Sequence, residues 1–367
     1  MPISMPSPPS TPRQTVQETL SSQYLRNRRL APDFLEKYAL GQELGSGGFG
    51  FVLSAYERYT GIERAVKFIF RDKVPASAWI RDRQMGPIPM EIYVLKHVRH
   101  PNMIQYIDSY QDDSFFYLVM ELHGSEWAPT TNTNMNNISS IANPMMTPPT
   151  TPPASFAHSP TFSHHSDDSS ILSFDSAGVA GYQPDAIFGR RSSCDLFECI
   201  EQHQNFDEPL AKNIFRQIAS CVAQLDKLGI CHRDIKDENI VIDRNYQVKL
   251  IDFGSAVILP RHYGDNRPCL FTKFYGTVSF ASPEILQCQP YLAEPAEVWS
   301  LGVLLYTILF GEVPFHGPHM TLTGRFAQPK INVSEKCMHL VKSMLEISPA
   351  KRPSIHQILT HPWLADF

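Results

Sequence analysis

Proline is unevenly placed in this chain, and where it crowds no packed fold can form. Residues 1–32 open with Pro-Ser-Pro-Pro-Ser-Thr-Pro and show little apolar periodicity. Residues 125–192 carry Thr-Pro-Pro-Thr-Thr-Pro-Pro, His-Ser-Pro, a run of asparagines and His-His-Ser-Asp-Asp-Ser-Ser. Such sequence buries too little apolar surface to offset the ~1–2 kcal/mol per residue that backbone ordering costs. Both stretches are expected to be disordered. What remains is two blocks, 33–124 and 193–367, that together make one ordinary two-lobed domain.

The two blocks have different periodicities. In the first, Tyr38-Ala-Leu-Gly-Gln-Glu-Leu alternates, and Phe51-Val-Leu-Ser-Ala-Tyr, Arg64-Ala-Val-Lys-Phe-Ile-Phe and Phe115-Phe-Tyr-Leu-Val-Met-Glu read as strands. Between them, Ile92, Leu95 and Val98 recur at helical spacing and stop before Pro101. In the second block, residues 210–228 are amphipathic and stop at Gly229. Residues 299–309 form an apolar helix stopping at Gly311, and residues 349–363 supply a last helix. The fold class expected is α+β: a β-rich first lobe and a helical second lobe.

Charge and cysteine exclude several functions. Lys plus Arg number 32 against 37 for Asp plus Glu, a net charge of −5, which argues against a protein that lives on nucleic acid or an anionic membrane. No apolar run is expected to span a membrane, and the N-terminus lacks the build of a secretory signal. The 7 cysteines include no C-x-x-C pair, which fits reduced thiols in a cytoplasmic protein. The basic cluster Arg26, Arg28 and Arg29 would allow nuclear access as well.

The candidate chemistry lies in four short stretches. Gly45-Ser-Gly-Gly-Phe-Gly50 sits between two strands, where residues without Cβ let backbone N–H groups approach phosphate. Alone, it reads better as a plain glycine-rich hairpin. Lys67 follows on an apolar strand, and Glu91 opens the next helix. In the second block, His232-Arg-Asp234-Ile-Lys236-Asp-Glu-Asn239 precedes Lys249-Leu-Ile-Asp252-Phe-Gly254 by a hairpin's length. Each piece alone could be an ordinary polar turn; the order and spacing of all four are what specify a chemistry.

Those motifs match H-R-D-x-x-x-x-N and D-F-G, and the chain resembles the eukaryotic protein kinases. The resemblance continues through Gly276-Thr277, Ser282-Pro-Glu284, Glu297-Val-Trp-Ser-Leu-Gly and Arg352-Pro, so it covers both blocks. It implies a bilobal kinase fold with domains at 1–32 (tail), 33–124 (first lobe and hinge), 125–192 (insertion) and 193–367 (second lobe). It also implies ATP and Mg2+. On that basis Lys67 would hold the α- and β-phosphates and Glu91 would fix its ammonium. Asp252 and Asn239 would chelate magnesium, Asp234 would accept the substrate hydroxyl's proton, and Lys236 would neutralise the transferring phosphoryl group. The nucleotide would lie under Leu44, Gly45, Ser46, Gly47, Gly48, Phe49, Gly50, Val52 and Ala65, against hinge residues Met120, Glu121 and His123. Ile240 or Ile242, the latter preferred, would close the pocket from below. His232 is expected to be a packed histidine under Phe253 with Leu95 above, and Arg233 to be available to an activation-segment phosphate. Acceptors there are Thr272, Tyr275 and Thr277; Thr277 is expected to contact Asp234, which leaves Thr272 as the regulatory candidate.

Finer features narrow the family. Ile235-Lys-Asp-Glu-Asn-Ile-Val, the segment Trp79 to Glu91 with its Met85-Gly-Pro-Ile-Pro, and Ile251-Asp-Phe-Gly-Ser-Ala look like the catalytic domain of PAS kinases, serine/threonine kinases of the calmodulin-dependent-like group. No PAS sensor is evident. The partners implied are proteins with Ser or Thr acceptors. Glu238 and Asp195 match positions that grip an arginine upstream of the acceptor, although Asp195 could equally contact the ribose or cap the next helix. Thr147-Pro, Thr151-Pro and Ser159-Pro in the insertion could accept proline-directed phosphates, or be coincidences of composition. Two alternatives are a pseudokinase scaffold, disfavoured because Lys67, Asp234 and Asp252 are all present, and a small-molecule or lipid kinase, which would lack the Ser282-Pro-Glu platform.

Overall fold

The computed structural model describes residues 19–127, 194–260, 268–326, 329 and 331–365. Residues 128–193, the first eighteen residues and the three Ser/Thr-Pro steps lie outside the described residues; the expected start of the insertion at 125 is corrected, because the Ser125 N–H and the Trp127 ring N–H both donate to the Ile242 carbonyl, at 3.1 and 3.3 Å. The expected boundary of the tail is corrected, because residues 19–32 are folded. They form α1 (Leu20–Leu25) and lead into α2 (Pro32–Lys37), burying Leu25 and Leu30. The apolar signal was too short to register as a period: two leucines and a tyrosine docked on aromatic residues.

The first lobe is a five-stranded antiparallel sheet of order β1-β2-β3-β7-β6. Its strands are β1 (Tyr38–Gly47), β2 (Gly50–Glu57), β3 (Glu63–Phe70), β6 (Tyr106–Gln111) and β7 (Phe115–Glu121). β-branched and aromatic residues fill β3 and β7, which are buried on both faces because α1 and α2 cover one side and α3 (Met90–His97) the other. The segment before α3 folds as a hairpin of β4 (Trp79–Asp82) and β5 (Gly86–Pro89). Asp82 closes it, accepting the N–H groups of Gln84 and Met85 at 2.9 Å each and Lys96 from α3 at 3.2 Å.

The second lobe is helical. Asp195 caps α4 (Leu196–His203), and α5 (Glu208–Lys227) follows with Asp207 as its cap. Short strands β8 (Ile230–Cys231), β9 (Ile240–Ile242), β10 (Val248–Leu250) and β11 (Val257–Ile258) frame the catalytic stretches, with β9 paired to β10 and β8 to β11. Then come β12 (Leu270–Phe271), α6 (Pro283–Leu286), β13 (Tyr291–Leu292) and α7 (Ala293–Phe310). The lobe ends with α8 (Pro318–Thr323), α9 (Glu335–Met344), α10 (Ile355–Leu359) and α11 (Pro362–Ala365). The single last helix expected over 349–363 is therefore broken. Ser354 starts α10 with a reciprocal cap to Gln357, and Pro362 forces a new start for α11. The expectation that no segment could span a membrane also needs refining. α7 has 18 residues and a mean hydropathy of 1.2, enough by length and composition, but 78% of it is buried. It is the core helix, with Trp299 stacked on Phe315 at 5.3 Å.

The buried pair beneath α7 holds the lobe together. Arg352 donates two parallel bonds to Glu284, at 2.7 and 2.8 Å, and its guanidinium lies 5.0 Å from the Trp299 ring. Bidentate geometry is what makes a buried ion pair worthwhile.

Candidate active site

The glycine-rich loop is the tip of the β1–β2 hairpin, with Gly47 opposite Gly50 and Phe49 exposed. Its glycines serve two purposes. A Cβ on Gly50 would come within 1.9 Å of the Phe68 carbonyl, so that glycine is required by packing. Gly45, Gly47 and Gly48 have no neighbour within 4 Å of such an atom. Packing does not require them; open space beside bare N–H groups suits a phosphate.

Lys67 and Glu91 meet across the lobe because β3 and the first turn of α3 face each other. The ammonium lies 2.7 Å from Glu91 and 2.8 Å from Asp252 Oδ1. Burial alone would lower the Lys67 pKa, but Asp252 and Glu91 outweigh it and hold the group above its ordinary value. Burial would likewise raise Asp252, and the Lys67 charge keeps it below the ordinary carboxylate range. Glu91 is pushed up to about 7 by burial, against the pull of Lys67. Asp252 has a left-handed backbone, φ 61°, and caps the turn Phe253–Ser255 by accepting the Gly254 N–H at 3.2 Å. That turn directs its carboxylate into the cleft, where the side chain is 47% exposed.

Asp234 is fixed from three sides. Its Oδ1 accepts the Thr277 N–H at 3.0 Å and hydroxyl at 3.2 Å, and its Oδ2 accepts Asn239 Nδ2 at 2.9 Å. Asn239 also donates to the Asp234 carbonyl at 2.8 Å, so its amide nitrogen is consumed and its oxygen is left to act as a ligand. Lys236 stands 4.0 Å from Asp234 and 2.5 Å from Glu238. Burial would lower Lys236, but Glu238, Asp234 and Asp252 outweigh it and hold its pKa up.

The expected support for these groups is present. His232 is fully buried, lies 4.7 Å edge-on from Phe253, and bonds the Ile251 carbonyl through Nε2 at 3.0 Å while Nδ1 accepts the Asp234 N–H at 3.3 Å. Burial lowers its pKa, so it is neutral and packed. Arg233 also has a left-handed backbone, φ 65°. Its N–H is held by buried Glu297 at 2.8 Å and its Nε donates to the Ser255 carbonyl at 2.7 Å. The guanidinium lies over the rings of Phe271 and Tyr275 at 5.1 and 5.5 Å, and Thr272 between them is exposed. Residues 261–267 of the activation segment lie outside the described residues.

At the hinge, Met120 is buried and the Glu121 carboxylate is tied to the Gln105 N–H and Lys249, both at 2.8 Å. The His123 ring bonds the Gln247 carbonyl at 2.9 Å, so both hinge residues are anchored by their side chains. Leu44 and Val52 are half-buried and Ala65 is 7% exposed, as a pocket roof requires. The preferred floor residue is corrected. Strand alternation turns Ile240 and Ile242 together into the core, each at 0% exposure, and presents half-buried Val241 on the opposite face. Asp195 accepts the Glu198 N–H at 2.9 Å, so the helix-capping role is realised, while the Glu238 side chain is 52% exposed.

Asp252 and Asn239 offer two oxygen donors beside an ammonium and an open glycine cradle. That set fits Mg2+, which binds through one or two carboxylates plus phosphate oxygens.

The protein kinase domain family matches residues 38–146 and 187–364. A PAS domain-containing serine/threonine-protein kinase of Mus musculus is 35% identical over 328 residues, 89% of this chain and 18% of that protein. Serine/threonine-protein kinase PSK1 of Saccharomyces cerevisiae is 30% identical over 329 residues, 88% of this chain and 19% of that protein. Serine/threonine-protein kinase pim-2 of Danio rerio is 29% identical over 346 residues, 91% of this chain and 86% of that protein. The chain spans about a fifth of the length of the first two.

Proposed function

This chain belongs to the protein kinase family, and from that premise we propose that it transfers the γ-phosphoryl group of ATP to serine or threonine hydroxyls of proteins. The observation that carries the reading is that Lys67 pairs with Glu91 and Asp252, while Asp234, held beside Lys236 and Asn239, is joined to the Asp252–Phe253 turn through His232. Asp252 and Asn239 would hold Mg2+, whose positive charge would offset that of the phosphates. Lys67, steadied by Glu91, binds α- and β-phosphate oxygens. Asp234 accepts the proton of the acceptor hydroxyl, and Thr277 and Asn239 keep its carboxylate aimed. Lys236 offers its ammonium to the charge on the transferring group.

The substrate class follows from the exposed carboxylate of Glu238 next to the catalytic Asn239, with Asp195 at the head of α4. Together they support selection of arginine upstream of the acceptor, each charge-assisted bond worth roughly 1.5–3 kcal/mol. The presence of all three catalytic charges in one cleft favours an active enzyme over a scaffold. The likeness to the mouse and yeast kinases supports a role in signalling or metabolic control.

A positional peptide-library phosphorylation assay tests this, run with wild type, Asp234→Asn and Glu238→Ala. Wild type is expected to select arginine, Asp234→Asn to give no signal, and Glu238→Ala to lose turnover of arginine peptides far more than of alanine-substituted ones. Equal loss on both peptide sets would overturn the arginine assignment.

A further inference from the structure

The glycine loop is held by its own hairpin pairing and by the Phe49 carbonyl, which accepts the Phe70 N–H at 2.9 Å, so its position is set by the strands that lead into it. β2 is fixed by Gly50 against Phe68. β1 is not regular: its register steps from Leu40↔Ala55 to Glu43↔Leu53 to Gly45↔Val52, so an extra residue is accommodated on each side of Glu43. Bulges of this kind re-aim a side chain. Here they turn Glu43 away from the cleft into a buried position, 2% exposed, one residue before Leu44 in the pocket roof. The first bulge is fastened by Ser54, whose hydroxyl accepts the Gln42 N–H at 2.9 Å. The second is fastened by the Glu43 carboxylate, which accepts the N–H of buried Ser21 in α1 at 2.9 Å.

α1 is itself docked by packing. The Tyr24 ring lies 4.5 Å from Phe70 and 6.4 Å from Phe51, and Leu25 is 1% exposed. The Lys73 ammonium lies 4.0 Å from the Phe70 ring beside it. Further along, Arg28 lies over Phe115 at 4.9 Å and the Ala31 N–H meets the Tyr117 hydroxyl at 3.3 Å. The segment therefore rests on the side of the sheet opposite α3.

From this placement we infer that α1 is part of the nucleotide site's support, and that Glu43 is a positioning residue: through its bond to Ser21 it fixes the base of the glycine loop over the phosphates. This rests on the ATP reading above. If α1 leaves, Glu43 loses its partner, the bulge relaxes, and Leu44 to Gly47 lose their fixed height above the cleft. The reacting groups on β3 and in the second lobe are untouched. The consequence is a selective loss of nucleotide affinity rather than of turnover.

Steady-state kinetics on the full chain test this with Glu43→Ala, Glu43→Gln and Leu25→Asp, each checked for a folded spectrum and melting temperature. Glu43→Ala and Leu25→Asp are expected to raise KM for ATP roughly five- to tenfold, a loss of about 1–1.4 kcal/mol in nucleotide binding. Both should leave kcat at saturating ATP, and KM for peptide, within about twofold. Glu43→Gln keeps an acceptor oxygen and should restore wild-type KM. The double variant should be no worse than either single one, since both break the same contact. A KM for ATP equal to wild type in Glu43→Ala or Leu25→Asp, or a loss confined to kcat, would overturn the inference. So would Gln behaving like Ala. Should Leu25→Asp fail to fold, the Ala and Gln pair at Glu43 decides alone. Wild type that takes up no Mg-ATP would overturn the functional reading and this inference with it; active wild type with insensitive variants would overturn this inference alone.

Discussion

The glycine loop and the catalytic loop, which on the proposed reading face the same phosphates, are built on opposite plans. In the catalytic loop every working side chain is bonded: Asp234 takes three bonds, and Asn239 gives two. His232 beneath is sealed from water. At the glycine loop, a Cβ on Gly45, Gly47 or Gly48 would meet nothing within 4 Å, and order comes from the backbone: the β1–β2 pairing, Phe49 and Gly50 against β3, and the bulges at Glu43. The catalytic loop thus carries pre-organised electrostatics, which act without reorganisation during reaction. The glycine loop carries freedom, so that it can close over a ligand that must also leave. Substitutions in the first should strike rate; substitutions in the second should strike binding or stability according to whether the residue packs.

The largest effect should come from the rigid side. Asp234→Asn keeps the volume and one acceptor oxygen for Thr277, but it gives up the acceptor that faces Asn239 and cannot accept the hydroxyl proton. kcat should fall by roughly 10²–10⁴-fold with Mg-ATP affinity unchanged. Isothermal titration alongside single-turnover kinetics separates the two, and a parallel loss of binding would break the contrast between the loops.

Next come the two kinds of glycine. Gly50→Ala drives a methyl group into the Phe68 carbonyl, with no flexible end to yield, and should cost about 1–3 kcal/mol in unfolding free energy. Gly47→Ala meets open space, so stability should stay within about 0.5 kcal/mol while KM for ATP rises severalfold. Denaturant melts and nucleotide titrations on the pair test this. Equal destabilisation by both would mean that the loop tip is packed after all.

How much of this the sequence disclosed depended on whether a residue's role is local. Lys67, Asp234, Asn239 and Asp252 sit in fixed spacings within short motifs, so order along the chain was enough to assign them. Thr277 meeting Asp234 and His232 under Phe253 followed from the same frame. Val241 was missed by a one-residue phase error in a three-residue strand, too short for its alternation to declare which face is core. Glu43 was invisible for a different reason. Its burial comes from two bulges in β1 and from α1, a helix of 6 residues in a stretch whose composition reads as tail. Local propensity has no term for a partner supplied by tertiary packing. At Asp195, acidic charge near a substrate groove and a helix cap have the same sequence signature; the bond to the Glu198 N–H establishes the cap, which recognition of arginine does not exclude.

A smaller effect sharpens the account of the rigid side by pH. Glu297 is buried and held by the Arg233 N–H, and burial pushes its pKa up to about 7 from an ordinary 4.5. A carboxyl whose folded pKa is raised binds more protons in the native state. Its contribution to stability is therefore complete below pH about 4.5 and is lost as pH rises through 7. Glu297→Gln keeps an acceptor oxygen and removes the titration. Relative to wild type, the variant should gain stability between pH 5 and 8, on the order of 2 kcal/mol. Parallel melting curves across that range would show that Glu297 does not titrate there.

The smallest effect concerns Thr272. An arginine beside the catalytic aspartate needs something to hold it, and a phosphate on the activation segment is one solution. Here Arg233 is already engaged: its Nε donates to the Ser255 carbonyl and its guanidinium faces the rings of Phe271 and Tyr275. Contacts of a cation with aromatic faces are worth about 0.5–2 kcal/mol each, enough to fix the segment without added charge. Thr272→Ala should then leave kcat within about twofold, since the side chain is exposed and a surface change costs about 0.5 kcal/mol or less. Phe271→Ala should lower kcat more than Thr272→Ala does, because it frees the arginine that the catalytic loop leans on. A larger loss from Thr272→Ala than from Phe271→Ala would place control at the hydroxyl and not at the ring.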